Sequence, residues 1–314
     1  KFKSLLIFVA IGILTIGIGW FFYPILRNGN SPRNFSEFSD FIVVEKHKNL
    51  NCTIPDVSIV VPTFNEEKRL PYMMDATLIY FQNWALKYNR SYEIILVDDG
   101  SSDNTFDIAS RYLNAHSDHF RIVKLLRNFG KAAAVRVGVD VANGNKILMV
   151  DADGATDIND FNKLYEHIDK DSERNEAIAI GSRSHLAGKS IATRSFFRTI
   201  LMKGFHLLVT IFCTSKIADT QCGFKLFTSK AAKTLFSNLH LYGWAFDIEL
   251  IYIAEKLNIS MFEVQVNWKE IEGSKLIRNQ MDVVITSATM ARDIICVFLA
   301  YSFGIWKLPN NFII

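Results

Sequence analysis

Asp151, Asp153 and Asp157 crowd together directly after the apolar run Lys146–Val150. Like charges at close range repel, and burying them is costly unless something cationic stands between them. On an extended backbone, side chains at i and i+2 share a face, so Asp151 and Asp153 point the same way. Oxygen ligands of this kind suit Mg²⁺ or Mn²⁺, which takes one or two carboxylates and completes its shell with substrate phosphates. The spacing predicts that Asp151 and Asp153 share a divalent metal and that the metal holds a diphosphate, neutralising it as a Lewis acid when it leaves. An acidic turn capping the next helix is the structural alternative.

Three other polar clusters have similar surroundings. Pro62–Glu67 follows the apolar Val57–Val61. Pro62 stiffens the exit, Phe64 suits the flat face of a base, and Glu66 or Glu67 is placed to accept from a base or ribose; the plain reading is a Pro-Asn turn opening a helix. Asp98–Asp103 follows Tyr92–Val97. A buried carboxylate there accepts from the imide N–H of uracil or from ribose hydroxyls, while Ser101, Ser102 or Asp103 caps the next helix. Arg127–Lys131 follows Arg121–Leu126. The first strand is not followed by G-x-G-x-x-G and the chain contains no G-x-x-x-x-G-K-[ST], which disfavours a dinucleotide oxidoreductase and a P-loop NTPase.

The elements that must position these clusters alternate. Strands are predicted at Val57–Val61, Tyr92–Val97, Arg121–Leu126, Lys146–Val150 and Ala177–Gly181, with helices at Leu70–Asn89, from Thr105, and at Ala132–Ala142. Continuous apolar strands between helices predict an α/β, Rossmann-like, mostly parallel sheet covered on both faces. Ligands in such sheets bind beyond the carboxyl ends of the strands, where all four clusters fall.

The chain has 314 residues, 49% of them hydrophobic, with a net charge of only +3, which gives no electrostatic case for nucleic acid as a partner. Its four cysteines lack metal-ligand spacing. The 25 Phe against 10 Tyr suggest surface that meets lipid. After a short tail (1–4), residues 5–26 carry no charge and are long enough for a single N-terminal transmembrane helix, with Trp20 and Tyr23 as interfacial anchors. Arg27 and Arg33 then place the following chain on the cytosolic side. A polar linker is expected over 27–55 and the α/β domain over 56–275. Within that domain, the segment from about 190 to 213 sets Arg194, Arg198 and Lys203 among large apolar residues, as in a helix lying in the membrane interface. Residues 276–314 are apolar but carry Arg292 and Asp293 midway. They are expected to form amphipathic interfacial helices and not a second span.

Together, the blocks Pro62–Glu67, Asp98–Ser101, Asp151–Asp153 and Gly181–Arg183 resemble the inverting GT-A glycosyltransferases of family 2. The blocks Glu66–Pro71, Asp219–Phe227, Trp244–Leu250 and Val266–Lys275 resemble the dolichyl-phosphate β-glucosyltransferase branch. The resemblance implies a GT-A fold and transfer of glucose from UDP-glucose to dolichyl phosphate at the endoplasmic reticulum membrane, feeding the lipid-linked precursor of N-glycosylation. It implies nucleotide-sugar contacts at Pro62, Phe64, Glu66, Asp98, Asp99, Lys131, Asp151, Ala152, Asp153 and Lys275. Arg183, Arg194 and Arg198 would meet the acceptor phosphate, Asp151 and Asp153 the Mg²⁺ or Mn²⁺, and Asp153 and Asp247 would be the catalytic pair. Relatives that make dolichyl phosphate mannose carry Gln where this chain has Ala155, leaving Thr156, Asp157 or water to complete a metal shell. The competing readings are a mannosyltransferase using GDP-mannose and an inactive nucleotide-sugar-binding scaffold.

Overall fold

The computed structural model describes residues 17–27, 41–44, 54–170, 176–186, 196–269, 271 and 280–308. Its helices are α1 (17–27), α2 (Leu70–Tyr88), α3 (Thr105–Ala115), α4 (Lys131–Val141), α5 (Phe161–Lys170), α6 (Phe196–Phe212), α7 (Ser229–Ser237), α8 (Phe246–Lys256) and α9 (Gln280–Ser302). The strands are β1 (Phe41–Val44), β2 (Val57–Thr63), β3 (Tyr92–Asp98), β4 (Phe120–Leu125), β5 (Lys146–Val150), β6 (Ala177–Ser182), β7 (Phe224–Thr228) and β8 (Ser260–Gln265). They form one sheet in the order β1-β4-β3-β2-β5-β7-β6-β8. β1 belongs to the stretch expected as linker.

Alternation along the strands divides the core in two. Val60, Ile95, Val97, Val123, Ile147 and Met149 face α4, α7, α8 and α9. Val57, Ile59, Val61, Ile94, Leu96 and Leu148 face α2, α3 and α5. A period of two on strands buried on both faces produces this three-layer arrangement. α4 lies close against the sheet because it is built of small residues; a Cβ on Gly138 would come within 2.3 Å of Val60 Cγ1.

The sheet is mixed, which corrects the mostly parallel expectation. β2, β3, β4 and β5 run parallel, but β7 inserts antiparallel between β5 and β6, and β1 closes the other edge antiparallel to β4. An apolar run fixes that a strand is buried and leaves its direction unspecified.

The membrane assignment is corrected as well. Among the described residues, the helix long and apolar enough to cross a membrane is C-terminal: Met281–Ser302 within α9, with mean hydropathy 1.8. The N-terminal span expected over 5–26 is not what the structure indicates. Residues 5–16 lie outside the described ones, and the described part, α1, does not meet that length by itself. α1 instead packs on α9, where Trp20 lies 4.8 Å from the Arg292 guanidinium. Arg292 and Asp293, the charges that argued against a C-terminal span, neutralise each other: Arg292 donates to Asp293 Oδ1 through Nη2 at 2.6 Å and Nε at 2.9 Å. A paired charge is far cheaper in an apolar setting than two lone ones.

Beyond α9 the chain turns through Gly304 (φ +67°) and buries Trp306. The indole stacks on buried His240, with centroids 4.2 Å apart and planes 3° from parallel. Buried Glu249 of α8 accepts from His240 N at 3.0 Å, Leu241 N at 2.7 Å and the Tyr301 hydroxyl at 3.1 Å. The end of α9 is therefore part of the domain core.

Candidate active site

Register places the four clusters on one rim. Thr63 of β2 lies opposite Asp98 of β3, and Val60 opposite Met149, so β2, β3 and β5 finish together. Pro62 falls where pairing with β5 has already ended, so its missing N–H leaves no gap in the ladder. The loops after β2 and β3 are stitched together: Asn65 N donates to Ser101 Oγ at 2.9 Å, Ser102 N to Asn65 Oδ1 at 2.8 Å, and Glu66 N to Thr105 Oγ1 at 2.7 Å. Phe64 stays exposed at the lip.

Asp98 and Asp99 have separate duties. Asp99 accepts from Phe129 N at 2.7 Å and Gly130 N at 2.9 Å, fixing the loop that starts α4; burial pushes its carboxyl up to about 6. Asp98 is wholly buried, and burial raises its carboxyl too. Its Oδ1 accepts from Ser101 N at 3.3 Å, whereas its Oδ2 is buried with no hydrogen-bond donor among the described residues. An orphaned buried oxygen of this kind costs about 1–3 kcal/mol and is the signature of a missing donor.

The acidic pair stands between two cations. Lys131, the first residue of α4, sets its Nζ 2.6 Å from Asp151 Oδ1. Arg69 grips Glu66 through two bonds of 2.5 and 2.7 Å and faces Asp153 Oδ2 at 4.0 Å. Burial, reinforced by the Asp151 charge, pushes the Asp153 carboxyl up. For Lys131, burial works against the charge, but Asp151 and Asp247 outweigh it and hold the ammonium above its usual range. Ala152 is buried between the two carboxylates. Gly223, at the entry to β7, underlies Asp151; a Cβ there would lie 2.0 Å from Asp151 Oδ2.

The donor set fits a divalent metal. Both carboxylates are hard oxygen donors with partly exposed side chains, although Asp151 Oδ1 itself is enclosed beside Lys131. No cluster of three or more His, Cys, Asp or Glu suited to a metal occurs among the described residues. An ion here would thus take two protein carboxylates and depend on ligand oxygens for the rest. Asp157 is occupied as a cap, accepting from Asn159 N at 3.0 Å. Buried Ala155 donates its N–H to Asp153 Oδ1 at 2.9 Å, orienting that carboxylate.

Asp247, in the first turn of α8, is buried and paired with fully buried Lys225, whose Nζ donates to Asp247 Oδ1 and to Cys222 O, each at 2.6 Å. Arg183, just after β6, is held along one guanidinium edge by Asp219, Nε at 2.7 Å and Nη2 at 2.8 Å, and lies 5.5 Å from the Trp268 ring. Glu263 fixes Asp219 in turn, accepting from its N–H at 3.0 Å. Arg194 and Lys275 fall outside the described residues, and Arg198 lies on α6 with its side chain undescribed. Reading the sequence for single residues missed Arg69, Asp219, Lys225 and Gly223. Only Arg69 left a local signal there, at three residues from Glu66 on a helix start.

Comparison with known proteins gives a consistent result. Residues 58–236 match the family described as glycosyl transferase family 2. The chain is 48% identical over 259 residues to the dolichyl-phosphate beta-glucosyltransferase of Homo sapiens, covering 81% of this chain and 78% of that one. For the enzyme of the same name from Saccharomyces cerevisiae the identity is 38%, over 80% and 76% of the two chains. Among solved structures, glucosyl-3-phosphoglycerate synthase from Mycobacterium tuberculosis in complex with UDP shares the fold at TM-score 0.56 and 14% identity, covering 86% of this chain and 90% of that one. The same synthase solved with Mn²⁺, UDP-glucose and phosphoglyceric acid gives TM-score 0.52 at 15% identity, covering 85% and 88%. The sheet order, the rim and the relatives agree, and the chain belongs to the dolichyl-phosphate β-glucosyltransferases of glycosyl transferase family 2.

Proposed function

We propose that the chain is an inverting glycosyltransferase that moves glucose from UDP-glucose to dolichyl phosphate, yielding dolichyl β-D-glucosyl phosphate and UDP for lipid-linked oligosaccharide assembly. The observation that carries the donor half is the orphaned Asp98 Oδ2 on the same rim as the acidic pair. A uracil imide supplies the missing donor, and Phe64 is exposed beside it for the flat base. Asp151 and Asp153 would hold Mg²⁺ or Mn²⁺, which supplies Lewis-acid neutralisation of the departing diphosphate. Lys131 at the N-terminus of α4 adds a cation and a helix end to the same charge.

The acceptor needs little activation. A phosphate monoester has its second pKa near ~6 and is largely dianionic at neutral pH. Arg183 is the cation for that phosphate, its fork already set by Asp219. Arg194 and Arg198, four residues apart, extend the same role. With a charged nucleophile, no strong general base is required, which suits an Asp247 already committed to Lys225. We assign Asp247 a positioning role: through Lys225 and the Cys222 carbonyl it braces the turn whose Gly223 supports Asp151. Holding two phosphate-bearing molecules in line, and stabilising the one that leaves, is the main catalytic task. We place the protein in the endoplasmic reticulum membrane with this rim facing the cytosol.

The test is turnover by the purified full chain in detergent, offered dolichyl phosphate with UDP-glucose or GDP-mannose. Glucosyl transfer with inversion, dependent on Mg²⁺ or Mn²⁺, is expected. Mannosyl transfer alone, or UDP-glucose binding without turnover, would reject the assignment in favour of the mannosyltransferase or the scaffold respectively.

A further inference from the structure

Lys131 occupies an electrostatically odd position. It is the first residue of α4, where the helix dipole favours an anion and disfavours a cation. Its ammonium is held there by Asp151 Oδ1 at 2.6 Å and lies 5.9 Å from the Trp244 ring centroid. The carboxylate that holds it is one of the two that a divalent cation would use, so metal and lysine compete for one ligand. Arg69 does not relieve the competition, because it is already spent on Glu66 and reaches Asp153 only at 4.0 Å. Three carboxylates (Glu66, Asp151, Asp153) face two cations, leaving this cluster one charge negative. A divalent cation reverses that sign, and a diphosphate reverses it again. A lysine is well built for moving between the two states, being a compact charge on a flexible four-carbon stem.

We propose that Lys131 is an exchangeable counter-ion, neutralising Asp151 before ligand binds and passing to the nucleotide's diphosphate once the Asp151 carboxylate would be needed for a divalent cation. The inference rests on the nucleotide-sugar reading and adds an order to it: metal alone binds poorly because it must strand Lys131, and the nucleotide removes that penalty. Metal and nucleotide are therefore positively coupled, and reciprocally so.

The test reads binding, not turnover. The full chain in detergent is titrated with Mn²⁺ alone, followed by the EPR signal of free Mn²⁺, and again with UDP present; wild type is compared with Lys131→Met, Lys131→Gln and Lys131→Arg, each first checked for a native melting transition. In wild type, UDP should tighten Mn²⁺ by about tenfold or more, the usual size of such a coupling. In the Met and Gln variants, Mn²⁺ alone should bind about tenfold more tightly than in wild type while UDP binds more weakly, because the competing charge is gone from the one and the partner charge from the other. The Arg variant should keep the weak Mn²⁺ affinity. Met and Gln variants that bind Mn²⁺ alone no better than wild type, beside normal UDP binding by wild type, would overturn the exchange and leave the nucleotide reading intact. A folded wild type that binds no UDP at all would overturn both.

Discussion

Gly223 carries a prediction out of proportion to its size. Because a side chain there would run into the Asp151 carboxylate, Gly223→Ala must turn that carboxylate away from its present position. We expect kcat/KM for UDP-glucose to fall by about 100-fold, a loss of transition-state stabilisation of roughly 2.7 kcal/mol, while a thermal melt shifts by only a few degrees. A melt that collapses along with activity would make the glycine a folding residue instead. Asp99 makes a second prediction through its pKa near 6, raised by burial above the unfolded carboxylate range. A raised acid is a liability when ionised, so its penalty is full at pH 7 and is relieved as pH falls through 6. The Tm of wild type measured against Asp99→Asn should therefore improve between pH 7 and pH 5; a flat difference would contradict the shift. At this scale, residues that carry chemistry in adjacent positions were readable, as with Asp98 and Asp99 or Asp151 and Asp153. Arg183–Asp219 and Lys225–Asp247 were not, because each pair is joined only by the sheet, across 36 and 22 residues.

Among the elements, the helices and strands on the nucleotide side follow the sequence pattern closely, since continuous apolar strands and helical periodicity are local properties. β7 does not, because its direction and its place between β5 and β6 depend on crossovers that no local pattern encodes. α9 departs from its sequence expectation for a different reason: two charges in an apolar run read as a barrier to a span, whereas Arg292 and Asp293 act as a neutral pair packed against Trp20. Asp293→Asn should leave Arg292 without its counter-charge and destabilise the folded protein by roughly 3–5 kcal/mol, the usual consequence of breaking an enclosed pair. Arg292→Met combined with Asp293→Asn should recover most of that loss. Detergent-solubilised protein followed by thermal melting checks both, and a double variant as unstable as the single one would mean the pair does more than neutralise itself.

For the whole molecule, the end of α9 and the turn after it belong to the catalytic domain. Trp306 and Ala300 are buried with the strands and helices of one face of the sheet, and Tyr301 reaches Glu249 on α8, the helix that carries Asp247. Removal of residues 280–314 should therefore leave an aggregating chain and not a soluble enzyme, and Trp306→Ala alone should cost about 3–5 kcal/mol, as deletion of a buried aromatic does. A truncated domain that stayed monomeric and melted cooperatively without detergent would refute this. The stacked Trp306 also has a geometric consequence. An enzyme on a tether can search a range of heights above a bilayer; one whose apolar helix ends in its own interior would not. With α9 seated in lipid, the rim would stand at a fixed height above it, and the reach of the site would be set by how far a phosphate projects from that surface.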